Sequence, residues 1–161
     1  MTPESTPDLT EPEPDGERRR LRVPAGVDQL AEVRSFVRTA GADFGGSQRA
    51  ADDLVQAVDE AACNVMVHGY RGSPGELEIE AALRDGRIEI SVLDRGPTFD
   101  PTAAPSPDLT HAPVPPRPGG MGLGIHLLRT MADEVRHHDR PGGGNVLTLV
   151  RSIDQPREEE A

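Results

Sequence analysis

Lysine is absent from this chain, and all 17 of its basic residues are arginine. A Walker-type phosphate loop and a protein-kinase-type site each need a lysine to contact phosphate, and Schiff-base chemistry needs a lysine amine. These three kinds of site are therefore excluded. Any nucleotide chemistry in this protein has to use other donors.

Tryptophan is also absent, aromatic residues make up 2% of the chain, and Cys63 is the single cysteine. A lone cysteine cannot form an internal disulfide, and the sequence has no Cys/His cluster with zinc spacing. The length of 161 residues suits one domain of ordinary size. Its hydrophobic core must be built mainly from Val, Leu, Ile and Ala.

Long apolar runs are missing as well, and the N-terminus has neither the basic nor the apolar region of a signal peptide. We therefore expect no membrane contact and a cytoplasmic location. The formal net charge is -11. A phosphate backbone would repel a chain this acidic, so we also expect no direct binding of nucleic acid.

Two acidic tails, residues 1–17 and 154–161, contain almost nothing to bury and are expected to be disordered. Between them, in residues 18–153, strand and helix patterns alternate. They predict a strand at 18–23, helices at 27–42 and 48–68, a hairpin at 76–84 and 87–94, a helix at 125–132 and a hairpin at 134–140 and 145–153. One face of the first hairpin is apolar, which predicts an antiparallel sheet covered by helices on one side.

Local signals support two of these elements. Asp85-Gly86 is the strongest short hairpin signal in the sequence. Ser47 is a good N-cap for the second helix. The first helix has the apolar spacing of a core-facing helix and is expected to bury Val27, Leu30, Val33 and Val37.

A polar stripe runs along the second helix, between residues 55 and 70. Glu60, Asn64 and His68 fall at i, i+4 and i+8, so they line one edge beside an apolar edge. A carboxylate one turn from a carboxamide, next to a buried face, is a plausible pair of acid/base and metal ligand. Surface residues of an amphipathic helix would give the same stripe, so the helix alone leaves both interpretations open.

Two other segments could bind parts of a nucleotide. Asp94, at a predicted strand end, could accept a hydrogen bond from an exocyclic amine, and Gly96 would let a flat base approach the backbone. The same pair also suits an ordinary turn. The glycines of residues 119–124 precede a predicted helix, where exposed N–H groups favour an anion such as a triphosphate. They do not follow a strand, so a Rossmann interpretation fails.

The proline-rich run of residues 98–118 has no helix or strand pattern. A structureless loop of this length inside a domain is usually a functional lid or a disordered insertion. Because the loop joins the Asp94-x-Gly96 segment to the glycine run, we expect a lid at about residues 97–118.

The order of these segments resembles the ATP-binding domain of the GHKL superfamily (the Bergerat fold) and, within it, the bacterial anti-sigma-factor serine/threonine kinases. The E-A-x-x-N-x-x-x-H-x-Y pattern from Glu60 to Tyr70 is similar to that family's N-box. Asp94-Arg95-Gly96 with Phe99-Asp100-Pro101 is similar to its first glycine box, and Gly120-Met121-Gly122-Leu123-Gly124 to its second. The resemblance covers residues 21–153. It implies an α+β two-layer sandwich, with a mixed or antiparallel sheet of about five strands and helices packed on one face.

The resemblance further implies ATP and Mg²⁺ as ligands, with a role for each motif. Asn64 would hold Mg²⁺ through its carboxamide oxygen, and Glu60 would be the general base. Asp94 would recognise the adenine amino group, and Gly96 would give the base room. Thr148 matches a position where the family often has a hydroxyl near the adenine. The second box would wrap the phosphates, with Gly120, Met121, Gly122, Leu123 and Gly124.

Three other positions in the motifs carry weaker expectations. His68 and Tyr70 fit the N-box but are more often packing or helix-end residues than chemical groups. Arg117, the only basic residue of the predicted lid, could reach the terminal phosphate in place of the missing lysine. Where many members of the superfamily have a second glycine after the first box, this chain has Thr98, which could tighten the pocket.

The function that the resemblance implies is an ATP-dependent serine/threonine kinase that sequesters a sigma factor and phosphorylates an anti-anti-sigma partner of the STAS type. A homodimer is implied too. The alternative is a nucleotide-gated binding protein without phosphotransfer. A histidine-kinase catalytic module is disfavoured because the N-terminal tail cannot supply a phosphoacceptor helix, and the large ATP-driven clamps of the superfamily need further domains.

Overall fold

The fold is given by a computed structural model, which describes residues 17–71, 73–98, 100, 102 and 121–153. Within them the chain forms five strands and three α-helices. In chain order these are β1 (Arg18–Pro24), α1 (Leu30–Asp43), α2 (Gln48–Asn64), β2 (Glu76–Arg84), β3 (Arg87–Asp94), α3 (Met121–Met131), β4 (Glu134–Asp139) and β5 (Asn145–Ser152). A 3-10 turn (Val27–Gln29) precedes α1, and a π-helical turn (Val65–Gly69) extends α2.

The strands form one sheet in the order β1-β2-β3-β5-β4, and every neighbouring pair is antiparallel. The prediction of a sheet of about five strands, mixed or antiparallel, is confirmed, and the described sheet is purely antiparallel. The β2–β3 hairpin has the predicted bounds. Its turn residues Asp85 and Gly86 have φ angles of 51° and 72°, as a type I′ turn requires.

The hydrophobic core lies between one face of the sheet and the helices, which gives the two layers predicted. Alternate residues of the central strands point into it, and the helices close it with short aliphatic side chains. The buried members include Leu77, Ile79, Ala81, Ile88, Ile90, Val92, Leu147 and Leu149 of the sheet, and Val33, Val37, Leu54, Val58 and Ala61 of α1 and α2. The apolar face predicted for the first hairpin is therefore confirmed.

Of three predictions about the helices, one is wrong, one is confirmed and one gave a different first residue. The prediction that Val27 is buried is wrong, because Val27 lies in the 3-10 turn and is 61% exposed. Ser47 caps α2 as predicted, since its Oγ accepts a hydrogen bond from Ala50 N at 3.0 Å. The third helix begins at Met121 instead of residue 125. Glycine lowers helix stability by about 1 kcal/mol per residue but does not forbid a helix.

Most residues of the two predicted tails and of the predicted lid lie outside the described residues. One residue assigned to the N-terminal tail, Glu17, accepts a backbone hydrogen bond from Leu83 N at 3.1 Å and so continues the edge of the sheet. Within the part of the chain that the structure describes, no helix combines the length and the apolarity needed to cross a bilayer.

Candidate functional site

Glu60 and Asn64 lie one turn apart on the last two turns of α2, and both are half-buried. Leu54, Val58 and Ala61 are buried on the adjoining face and fix the rotation of the helix against the sheet. Hydrogen bonding from the Asn64 side chain lowers the pKa of the Glu60 carboxyl. A bond that lowers this pKa favours the carboxylate, so the Asn64 amide is the donor.

The Glu60 carboxyl has a raised pKa overall. Burial is the largest cause, and the neighbouring Asp59 carboxylate adds to it, while the charge of His68 and the bond from Asn64 act in the opposite direction. A carboxyl whose pKa is shifted upward accepts a proton more readily at the pH of the cell. Glu60 therefore has the property that a general base needs.

Asn64 has the chemistry of a Mg²⁺ ligand. Its carboxamide oxygen is a hard, uncharged oxygen of the kind that this ion prefers. Mg²⁺ commonly takes one or two protein oxygens and keeps waters and phosphate oxygens in its other positions. Among the described residues no group of three or more His, Cys, Asp or Glu side chains could hold a metal ion alone. The side chains present fit an ion that arrives with a nucleotide.

Cys63 lies beside this pair and is half-buried. Burial raises the pKa of the Cys63 thiol, and the carboxylates of Glu60 and Asp59 raise it further. The thiol therefore stays protonated at neutral pH, which makes it a poor nucleophile.

Asp94 ends β3 on the helix-facing side of the sheet and is 3% exposed. Its Oδ1 accepts hydrogen bonds from Gly96 N at 2.8 Å and from Asn145 Nδ2 at 3.0 Å. Among the described residues, Oδ2 has no hydrogen-bond partner. The carboxylate is thus held by one oxygen, and the other can accept from a ligand.

Gly96 brings the segment after β3 against the end of the π-helical turn. A Cβ at Gly96 would lie 3.3 Å from Asp94 Oδ1 and 3.5 Å from the carbonyl carbon of Gly69. A larger residue would therefore press on the Asp94 carboxylate. The contact with Gly69 is a structural reason for glycine at position 96. It adds to the predicted reason, which is that glycine leaves room for a base.

The glycine run contributes the first turn of α3. Met121, Gly122, Leu123 and Gly124 are helical, and the N–H groups of a first turn have no partner within the helix. These N–H groups stand at the positive end of the helix dipole, where anions bind. α3 packs against α2, the helix that bears Glu60. Gly120 and Arg117 lie outside the described residues.

Known proteins match this chain along most of its length. A family model described as a histidine kinase-like ATPase domain matches residues 23–151. The chain belongs to this family.

Among curated relatives, this ATPase domain is 28% identical over 147 residues to the serine-protein kinase RsbW of Bacillus cereus (strain G9842), and 29% identical over 147 residues to the RsbW of Bacillus anthracis. Each alignment covers 89% of this chain and 89% of the relative. A crystal structure of the RsbU and RsbW domains of a Mycobacterium tuberculosis protein shares the fold, with a TM-score of 0.59 and 24% identity. That match covers 86% of this chain and 33% of the other. The resemblance to the anti-sigma kinases of the GHKL superfamily is confirmed.

Thr148 is not brought to the Asp94 cluster of the ATPase domain. It pairs with Ser91, and the two hydroxyl oxygens are 2.9 Å apart on the face of the sheet opposite the helices. The residue paired with Asp94 is Asn145. Side chains alternate across a strand, and Thr148 is three residues after Asn145. Thr148 therefore points to the face of the sheet opposite Asp94. The register thus places Thr148 away from Asp94, and Asn145 is the β5 residue beside it.

Arg95 is a residue of this domain whose role the motifs did not reveal. Its Nη1 donates to the carbonyl oxygens of Pro141 at 2.7 Å and Gly143 at 2.9 Å, in the turn between β4 and β5. In the same turn Gly144 has a φ of 116°, and a Cβ there would collide with the Asp94 carbonyl oxygen. The run of glycines after Pro141 was the available signal. The close approach of this turn to Asp94 could not be read from it.

Tyr70 joins three parts of the site. Its hydroxyl donates to Glu76 O at 2.8 Å and accepts from Arg95 N at 2.7 Å. A Cβ at Gly75 would collide with the Tyr70 ring, so glycine is required beneath it. The expectation of a packing or helix-end role understated Tyr70, which ties the end of the N-box to the segment after Asp94.

The start of the predicted lid is described at Asp100 and Thr102. Thr102 N donates to Asp100 Oδ1 at 2.8 Å, and Arg129 Nη2 of α3 donates to Thr102 O at 2.7 Å. The first residues after β3 are therefore tied to α3. Residues 99, 101 and 103–118 of the predicted lid lie outside the described residues.

Proposed function

We propose that this ATPase domain is an ATP-dependent serine/threonine kinase that binds a sigma factor and phosphorylates an anti-anti-sigma protein of the STAS type. The observation that carries the proposal is the half-buried Glu60, whose pKa is raised and whose carboxylate accepts from Asn64. The similarity to serine-protein kinases named RsbW supports the choice of a serine or threonine hydroxyl as acceptor. A cytoplasmic homodimer is part of the proposal.

The nucleotide would be held by groups from three elements. The adenine amine donates to Asp94 Oδ2, and the first turn of α3, with Gly120 before it, holds the phosphates. Arg117 provides positive charge at the terminal phosphate. Mg²⁺, bound through Asn64, would neutralise phosphate charge and fix the phosphate geometry.

Glu60 acts on the acceptor hydroxyl. As the hydroxyl oxygen forms its bond to the terminal phosphorus, the bond from that phosphorus to the bridging oxygen breaks and ADP leaves. The hydroxyl proton passes to Glu60, whose raised pKa favours its uptake. The hydrogen bond from Asn64 keeps the carboxylate oriented between proton transfers.

The test is co-purification of tagged parent and Glu60→Ala proteins from the native cell with Mg-ATP, followed by mass spectrometry of the bound proteins and their phosphosites. The proposal expects a sigma factor with both proteins, and a STAS-type protein phosphorylated on serine or threonine with the parent alone. If neither protein yields a phosphorylated partner while ATP still changes partner binding, the alternative of a nucleotide-gated binding protein is correct. If the purified parent shows no saturable Mg-ATP binding, both the kinase proposal and the nucleotide-gated alternative are wrong.

A further inference from the structure

Two residues outside the predicted motifs, Asn145 and His137, lie in line behind the Asp94 carboxylate. Asn145 begins β5 in the row of the sheet that contains Asp94. His137 lies on the adjacent strand β4, and its side chain is 5% exposed. They form a continuous hydrogen-bonded line from β4 through β5 to β3.

The neighbours of Asn145 determine which way its amide points. Nδ2 lies 3.0 Å from Asp94 Oδ1 and 2.9 Å from the carbonyl oxygen of Pro97. Both neighbours are acceptors, so only the NH₂ group can face them. A reversed amide would place its oxygen against two other oxygens and release Asp94.

His137 secures this orientation from the other side. Its Nε2 lies 2.9 Å from Asn145 Oδ1, and the amide oxygen can only accept, so Nε2 carries a proton. Both the neutral Nε2–H tautomer and the imidazolium have that proton, so the bond survives a change of charge. The other ring nitrogen, Nδ1, lies 3.8 Å from Asp100 Oδ1.

We infer that Asn145 and His137 are positioning residues that fix Asp94 for a purine with an exocyclic amine, and so favour a purine that carries the amine over one that lacks it. Asn145 and Gly96 occupy Oδ1 of Asp94, which leaves Oδ2 to accept from the base. A purine carbonyl at the same place would oppose that oxygen. This inference rests on the proposed binding of ATP.

The experiment compares the affinities of the purified full chain for Mg-ATP and for purine riboside triphosphate, which lacks the exocyclic amine. His137→Leu removes the donor to Asn145, and His137→Gln restores a donor NH₂ near the same place. His138→Leu is the matched control, since His138 is exposed and alternates to the other face of β4.

The expected result is that His137→Leu weakens ATP binding about tenfold, because the bond that fixes the Asn145 amide is lost and Asp94 is held less firmly, and that it leaves binding of the analogue unchanged. His137→Gln and His138→Leu should bind both nucleotides like the parent. Asn145→Ser should reduce the preference for ATP in the same way. An equal loss for both nucleotides, or no loss for either, would overturn the inference.

A second measurement does not depend on the stability of any variant. In the parent, ¹⁵N NMR should show a proton on His137 Nε2 throughout the pH range in which the protein is folded, and a proton on Nδ1 alone would overturn the inference. A parent that does not bind ATP would refute the proposed function. A parent that binds ATP and keeps its preference in His137→Leu and Asn145→Ser would refute this inference alone.

Discussion

Asn64 lies one helical turn after Glu60 on α2, and hydrogen bonding from its side chain lowers the pKa of the Glu60 carboxyl. Glu60 keeps a raised pKa because it is buried beside Asp59, and Asn64 limits that rise by stabilising the charged form. The proton affinity of the proposed base is therefore set by neighbours that can be changed one at a time.

The pH dependence of phosphotransfer should move in opposite directions in two variants. Activity requires the ionised form of Glu60, so it should rise as the pH increases through the pKa of that carboxyl. Asn64→Ala removes a cause that lowers this pKa, and Asp59→Asn removes one that raises it. Because Asn64→Ala also removes the proposed Mg²⁺ ligand, the pH at which activity is half its own maximum is compared, and not the maximal rate. The acidic limb of the profile should shift to higher pH in Asn64→Ala and to lower pH in Asp59→Asn. Limbs that stay in place in both variants would show that Glu60 does not control the rate.

The raised pKa also predicts a stability cost at neutral pH. The ordinary pKa of a Glu carboxyl is about 4.3. When the folded state raises this pKa, the carboxyl favours folding at a pH below its ordinary pKa, and that stabilisation is lost as the pH rises through the folded-state pKa. Glu60→Gln keeps the shape of the side chain without the charge. It should therefore raise the melting temperature at pH 7, and the gain should disappear in acid. Thermal unfolding of the parent and the variant at both pH values measures this, and an equal gain at both would contradict it.

Tyr70→Phe should lower the free energy of unfolding and the affinity for ATP without leaving a cavity in the core. The phenyl ring keeps its contact with Gly75, but the bonds to Glu76 O and from Arg95 N are lost. Each such bond is worth about 1 kcal/mol of unfolding free energy. We expect a drop of that order in urea unfolding and a weaker affinity for ATP, because the segment after Asp94 is released. Unchanged ATP affinity would show that this segment is held without Tyr70.

Gly144→Ala should be much more damaging than Gly143→Ala. Both positions have left-handed φ angles, 116° and 108°, so both variants carry the backbone strain. Only at Gly144 would the new Cβ collide with the backbone of Asp94 and Arg95, whereas nothing lies within 4 Å at Gly143. We expect Gly143→Ala to cost about 1–2 kcal/mol of unfolding free energy. Gly144→Ala should cost more and should also lower ATP affinity, and equal effects would refute the contact.

Local signals in the sequence predicted the elements well, and distant pairings limited the prediction of the site. Asp85-Gly86 and Ser47 act on their nearest neighbours, so the turn and the cap could be read directly. The face of β5 could not, because its residues are nearly all buried and show no clear alternation. No signal in the sequence therefore indicated that Thr148, named from the family resemblance, lies on the face opposite Asp94. The bonds of Arg95 and Tyr70 join residues far apart in the chain, which no local pattern records.

The central claim is that Glu60 is the base of a serine/threonine kinase. The most direct measurement is the single-turnover rate of phosphate transfer from radiolabelled Mg-ATP to the purified STAS-type partner, by the parent and by Glu60→Gln, with ATP affinity measured on the same samples. We predict label on a serine or threonine with the parent, and a rate lower by at least about a hundredfold with Glu60→Gln at equal ATP affinity. Equal transfer rates in the two proteins would contradict the account.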